Sequence, residues 1–159
     1  MFAGPNRHEM RSILKDGFLK GKPNSAQCEK LIGFVNRKDW WHVPPVDPGA
    51  YRKRGKFLAS SFEAAEFWGR PLDEPQKVIV AKPLIGDERT ISKVLGIALQ
   101  HDGMTLKQIA AHDALWRNAA LEKGFDSILL MAAKCFAEFK ASGKIPRSLE
   151  LNLLAPTLE

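Results

Sequence analysis

An α+β domain, with a sheet of short strands and helices at its periphery, is the fold class that this sequence predicts. Three observations carry it. Short apolar or alternating runs of strand type recur at "MFAG", "GKFLAS", "QKVIVAKPLI", "DSILLMA" and "SLELNLLAP". Runs of helical period stand between them, the longest within "TISKVLGIALQHDGMTLKQIAAHDALWRNAALEKGF". At 159 residues and 45% hydrophobic composition the chain can bury one sizeable core, so residues 1–159 are expected to form a single domain.

Taken in order, "MFAG" reads as a first strand and "NRHEMRSILKDGF" as a helix, with Asn6 as cap, Met10, Ile13 and Leu14 as its apolar face and Gly17 as its stop. "CEKLIGFVN" has the composition of either a helix or a strand, and the Pro and Gly of "WWHVPPVDPGA" predict a loop carrying aromatics. "GKFLAS" is a short strand. Ser60 or Ser61 then caps "FEAAEFWG", a helix of about two turns that Gly69 closes. "QKVIVAKPLI" reads as a strand with Pro83 near its end. The long helical stretch breaks at "HDGM", and Gly124 stops it before the buried strand "DSILLMA". "AKCFAEFKASGK" is either a helix or a mobile insertion, and "SLELNLLAP" alternates as a last strand.

Charge is uneven along the chain. Residues 1–60 carry a net +7 and residues 61–159 a net −1. The densest basic cluster is "YRKRGK", where Arg52, Lys53 and Arg54 are candidates to meet the phosphates of a nucleotide or nucleic acid, or to face water as a solvated loop. No run approaches a membrane span, and "MFAGPNRHEMRSILKDGF" interrupts its apolar residues too early for a signal core, so a soluble cytoplasmic protein is expected. Cys28 and Cys135 stand apart from any CxxC or Cys/His spacing, and His8, His42, His101 and His112 are scattered, so no metal is assigned. Sequence carriers of the phosphate loop, the dinucleotide fold, the zinc protease and the hydrolase elbow are all missing.

"GKFLASSFEAAEFWG", followed by "EKGFDSILL" and "SLELNLLAP" and preceded by "MFAGP", resembles the ADP-ribosyltransferase superfamily in motif order across nearly the whole chain. The resemblance implies a split central β-sheet that binds NAD in an extended conformation, with the nicotinamide between aromatic rings and a carboxylate beside its ribose. Offset stacking suits a planar cationic ring. By position, Ala3 and Gly4 fall in the first nicotinamide-contacting strand and Phe57 at the aromatic position of the middle strand. Ser60 and Ser61 fall in the turn that supports the acid or the ribose, and Phe67 or Trp68 forms the second aromatic wall. Glu150 takes the place of the catalytic glutamate, where its charge would hold the ribose hydroxyl and stabilise the oxocarbenium-like charge.

The chain also departs from that family's pattern. Members usually carry His or Arg where Ala3 stands, so either Arg7, His8 or Arg11 supplies the contact from the following helix, or residues before it are missing, or NAD binding is impaired. Phe57 replaces a common Tyr, and Ser148 occupies the acceptor-recognition position of arginine-modifying members, so arginine is not expected as acceptor. The function implied is transfer of ADP-ribose from NAD to a macromolecular acceptor, protein or nucleic acid, with a toxin or effector as a setting the resemblance allows. Two other readings are a non-catalytic basic module binding nucleic acid or a protein, and an RNA 2′-phosphotransferase-like enzyme. For Phe57, Phe67 and Trp68 ordinary packing competes with ring binding.

Overall fold

A computed structural model describes residues 24–156. The expected first strand and helix, and with them Ala3, Gly4, Arg7, His8 and Arg11, lie outside the described residues.

The first described helix, α1 (Ser25–Arg37), resolves the ambiguity of "CEKLIGFVN" through its start. The Asn24 side chain accepts from the Gln27 N–H at 2.8 Å, and the Gln27 side chain returns the bond to the Asn24 N–H at 3.1 Å. This reciprocal cap satisfies two donors that a helix otherwise leaves open. Leu31 and Val35, four residues apart, are fully buried.

Part of the expected aromatic loop is instead a strand, β1 (Trp41–His42), paired antiparallel with β2 (Lys56–Ala59). Pro44 and Pro45 lack N–H donors, which limits the pairing to two residues. Between them α2 (Ala50–Arg54) gives "YRKRGK" a helical turn, ended by Gly55 at φ 89°. A side chain there is excluded twice. The backbone conformation favours glycine, and a Cβ would meet the Asn152 Oδ1 and come within 2.6 Å of the Leu153 carbonyl.

Ser61 caps α3 (Phe62–Glu66) by accepting from the Ala64 N–H at 3.1 Å. The "QKVIVAKPLI" strand is displaced from its expected position: the ladder begins only at β3 (Pro83–Gly86). Val78 and Val80 are buried and Ile79 is exposed, so the alternation is present, but the backbone partner of Val80 is the Asn36 side chain, at 2.8 and 3.1 Å. Pro83 opens the strand at a first position, where a missing N–H costs no ladder bond.

Two helices follow, α4 (Glu88–Leu95), capped by Asp87, and α5 (Leu106–Glu122), capped by a Thr105/Gln108 box. Gly124 at φ 90° turns the chain into β4 (Ser127–Leu130). The segment with two possible readings is the helix α6 (Ala133–Ser142), and β5 (Glu150–Leu153) is the last strand.

The strands form one five-stranded mixed sheet in the order β1-β2-β5-β4-β3, with only β3 and β4 parallel. The split sheet expected from the family resemblance is not present among the described residues. β5 pairs along all four residues with both β2 and β4, so no gap opens between them. Leu58, Leu129 and Leu151 join Leu31 and Val35 of α1 and Phe136 and Phe139 of α6 in one apolar layer. Leu84 and Ile128 join Ile91 and Leu95 of α4 and Ala120 of α5 in another. Successive residues of a strand point to opposite faces, so Ile128 and Leu129 place the two layers on the two sides of the sheet.

Candidate active-site cleft

Glu150 is the first residue of β5, level in the ladder with Ala59 on one side and Leu130 on the other. Phe57 lies opposite Asn152. Glu150 and Asn152 share a sheet face, so Phe57 and Glu150 share it as well and stand as a diagonal pair about 7–8 Å apart. Ala59, directly opposite Glu150 on that face, is buried, whereas the Phe57 ring is half-exposed.

A cleft of about 510 Å³ opens at this end of the sheet. Its walls include Glu150, Ser148, Leu130, Leu99, the start of α4 at Asp87, Glu88 and Arg89, and the start of α6 at Ala132, Ala133 and Cys135. The parallel pair explains the location: β3 and β4 both end here, and each hands the chain to a helix whose N–H groups face the strand ends. No side chain caps the first turn of α6. Cys135 is a free thiol on this wall, and Cys28 in α1, away from the cleft lining, is free as well.

The electrostatics of the cleft are acidic. Loss of hydration among the surrounding walls pushes the Glu150 carboxyl above its usual range, and the like charges of Glu88 and Asp113 push it further. Its side chain reaches solvent, so the protein withdraws only part of its water. Asp113 of α5 is raised as well, first by burial, while Arg54, His112 and a bond from the Gln100 amide at 3.4 Å pull it down.

The expected site residues fall into distinct places. Ser60 is absorbed by structure. Its N–H donates to the Leu149 carbonyl, its hydroxyl donates to the Arg147 carbonyl at 3.2 Å and accepts from the Leu149 N–H at 3.0 Å, and its carbonyl accepts from Lys38 Nζ. It thereby fastens the segment that leads into Glu150. Ser61 is the helix cap already described. Phe67 and Trp68 form an edge-on pair, centroids 5.1 Å apart, and both are exposed; the neighbouring Gly69 abuts Val43 at the β1 edge. Of the three basic candidates, Arg52 and Lys53 are exposed on α2, and Arg54 is half-buried with its charge near Asp113. The Arg54 carbonyl accepts from the buried Asn152 amide at 2.9 Å, tying α2 to the strand that carries Glu150.

Sequence reasoning missed Glu88, Arg89, Leu99, Asp113 and Cys135. A strand ending in Gly-Asp-Glu, with Asp as the cap of the next helix, was a visible signal at "PLIGDERT". Its value depended on knowing that this strand runs parallel to the one in "DSILLMA". No group of three or more His, Cys, Asp or Glu side chains suited to a metal ion occurs among the described residues, and no described helix is long and apolar enough to cross a membrane.

Comparison with protein-family models, with curated proteins and with solved structures finds no match to this chain.

Proposed function

We propose that the chain is an NAD-dependent ADP-ribosyltransferase that uses Glu150 as its catalytic carboxylate and a macromolecule as acceptor. The observation that supports the reading is the placement of Phe57 and Glu150 on one sheet face, an aromatic surface and a carboxylate one diagonal step apart in the ladder. A planar cationic ring can lie against Phe57 while the ribose attached to it meets Glu150. The neighbouring Glu88 and Asp113 give the site a negative field. That field favours the positive charge that grows on the ribose as the bond to nicotinamide breaks. Arg89 and the uncapped first turn of α6 are the groups of the cleft suited to phosphate oxygens.

Within this reading the chain's own groups have separate tasks. Glu150 holds the ribose hydroxyl and must be ionised to do so, Phe57 orients the ring, and Ser60 fixes the backbone from which Glu150 projects. The test is release of nicotinamide and transfer of label from adenine-labelled NAD by the full chain, with a mixed pool of protein, RNA and DNA. Glu150→Gln is expected to lower turnover about 10²–10³-fold and leave NAD affinity nearly unchanged, the pattern of an interaction made in the transition state. Folded wild-type protein that releases no nicotinamide with any acceptor, or a Glu150→Gln variant as active as wild type, rejects the proposal.

A further inference from the structure

We infer that the acceptor is a protein presenting a basic, apolar segment, which docks on a ledge formed by Phe67, Trp68 and Leu72; the word acceptor rests on the transferase reading above, the docking does not. Phe67 is 82% exposed, Trp68 64% and Leu72 44%, and they follow one another within six residues. Large aromatic side chains grouped at a surface mark interaction sites more often than scattered single ones do. Local bonds hold the ledge in shape. The Trp68 N–H donates to the Ala65 carbonyl at 2.9 Å, the Gly69 N–H to the Glu66 carbonyl at 3.2 Å, and the Leu72 N–H to the His42 carbonyl of β1 at 2.9 Å.

Charge decides the kind of partner. Residues 63–74 hold four acids, Glu63, Glu66, Asp73 and Glu74, against the single base Arg70, a net −3 in a protein whose net charge is +6. All four acids are exposed, and none takes part in the ion pairs of the described residues. Exposed aromatics could stack the bases of a single strand, but such platforms work within a positively charged groove that tracks the phosphates. Here the sign is opposite. Lys and Arg side chains of a protein segment would meet the acids, their cationic heads would find the face of Trp68, and neighbouring apolar side chains would cover Phe67 and Leu72.

The ledge is also placed to serve the cleft. Gly69 and Leu72 rest against Val43 and His42, His42 pairs with Leu58, and the next residue, Ala59, stands opposite Glu150. A segment bound along the β1 edge is thereby led toward the carboxylate.

The experiment uses the full chain without NAD and reads the fluorescence anisotropy of two labelled probes, a short synthetic peptide of Lys, Arg and Leu and a single-stranded oligothymidine. The peptide is expected to bind, and Trp68→Ala to weaken it about tenfold or more, the effect of losing a central aromatic contact. The triple change Glu66→Lys, Asp73→Lys, Glu74→Lys should weaken it at least as much, with circular dichroism confirming that these surface variants stay folded. Glu122→Gln, an exposed acid at the end of α5 outside both ledge and cleft, should leave binding unchanged, and because the probes are read without NAD, loss of the transferase reading and loss of this one are separable. Peptide binding indifferent to Trp68→Ala, absence of peptide binding, oligothymidine binding that Trp68→Ala weakens, or a homodimer that Trp68→Ala dissociates would each overturn the inference.

Discussion

Glu150 shows how one residue ties chemistry to stability. Its carboxyl is raised above the ordinary range by lost hydration and then by Glu88 and Asp113, so the folded chain holds the proton more tightly than the unfolded chain does. The folded state then binds more protons than the unfolded state as pH rises past the ordinary carboxylate value of about 4.3, and stability falls until the raised value is passed. Glu150→Gln should remove that decline and stabilise the protein at neutral pH, read as a higher urea midpoint, while turnover collapses. In the wild type the acidic limb of the rate profile should lie above the usual carboxylate range, and Asp113→Asn should move it down by removing a like charge. His42 works in the opposite direction. It is buried, its Nδ1–H donates to the Phe57 carbonyl at 2.7 Å, and its Nε2 accepts from the Tyr51 hydroxyl at 2.8 Å. Burial, and secondarily the charge of Lys56, lower its pKa against the opposing effect of the Phe57 bond. The unfolded chain therefore takes up the proton first, and stability should fall as pH drops below about 6.5 toward the lower folded value. Urea midpoints measured across that window should show the fall in wild type and not in His42→Gln.

Among the elements, the α1 side chain Asn36 explains the largest discrepancy between pattern and fold. It pairs with both the N–H and the carbonyl of Val80, as a neighbouring strand would, and so satisfies at Val80 the two groups a ladder partner would otherwise take. Asn36→Ala leaves two part-buried backbone groups unpaired and is expected to cost about 2–4 kcal/mol by urea denaturation. A loss under about 0.5 kcal/mol would mean that water replaces Asn36 without penalty. The sequence made the Ser61 cap legible, because it acts on backbone within three residues, and the caps at Asp87 and Thr105, not expected from the sequence, act over the same short range. It also made the glycine stop legible at Gly124, where positive φ is a local demand, whereas α3 ends at Glu66 with Phe67 as its cap, short of the stop expected at Gly69. Asn36 was not legible, since its partner lies 44 residues away and an Asn inside a helix has no local signature for such a bond.

Across the whole molecule, β5 is the strand that joins everything else. It lies between β2 and β4, and its Leu151 is fully buried in the layer shared with α1 and α6, whereas the next residue, Asn152, faces the opposite side and ties α2 to the sheet. Leu151→Ala should cost about 2–5 kcal/mol, the range for a fully buried leucine, and should lower the melting of all secondary structure together. Separate transitions for different helices would show that the sheet does not couple its two faces. Charge also has a whole-molecule distribution that composition hides. A chain of net +6 carries an acidic cleft around Glu150 and an acidic ledge around Trp68, so its overall basicity does not describe either surface.

By itself the sequence determined what short-range chemistry decides: a mixed α/β chain, the strands within "GKFLAS", "DSILLMA" and "SLELNLLAP", the helices of clear apolar period, the Ser61 cap and the Gly124 stop. These follow from side-chain periodicity and from bonds that span a few residues. Only the tertiary structure decided that β5 pairs on both sides to make one continuous sheet. It alone brought Glu88 and Asp113 toward Glu150, turned the Ser60 hydroxyl to the backbone of residues 147–149, and left Phe67 and Trp68 in solvent. The reason is that strand order and the meeting of charges depend on contacts between residues tens of positions apart, and no local pattern in the chain encodes which of them will be neighbours.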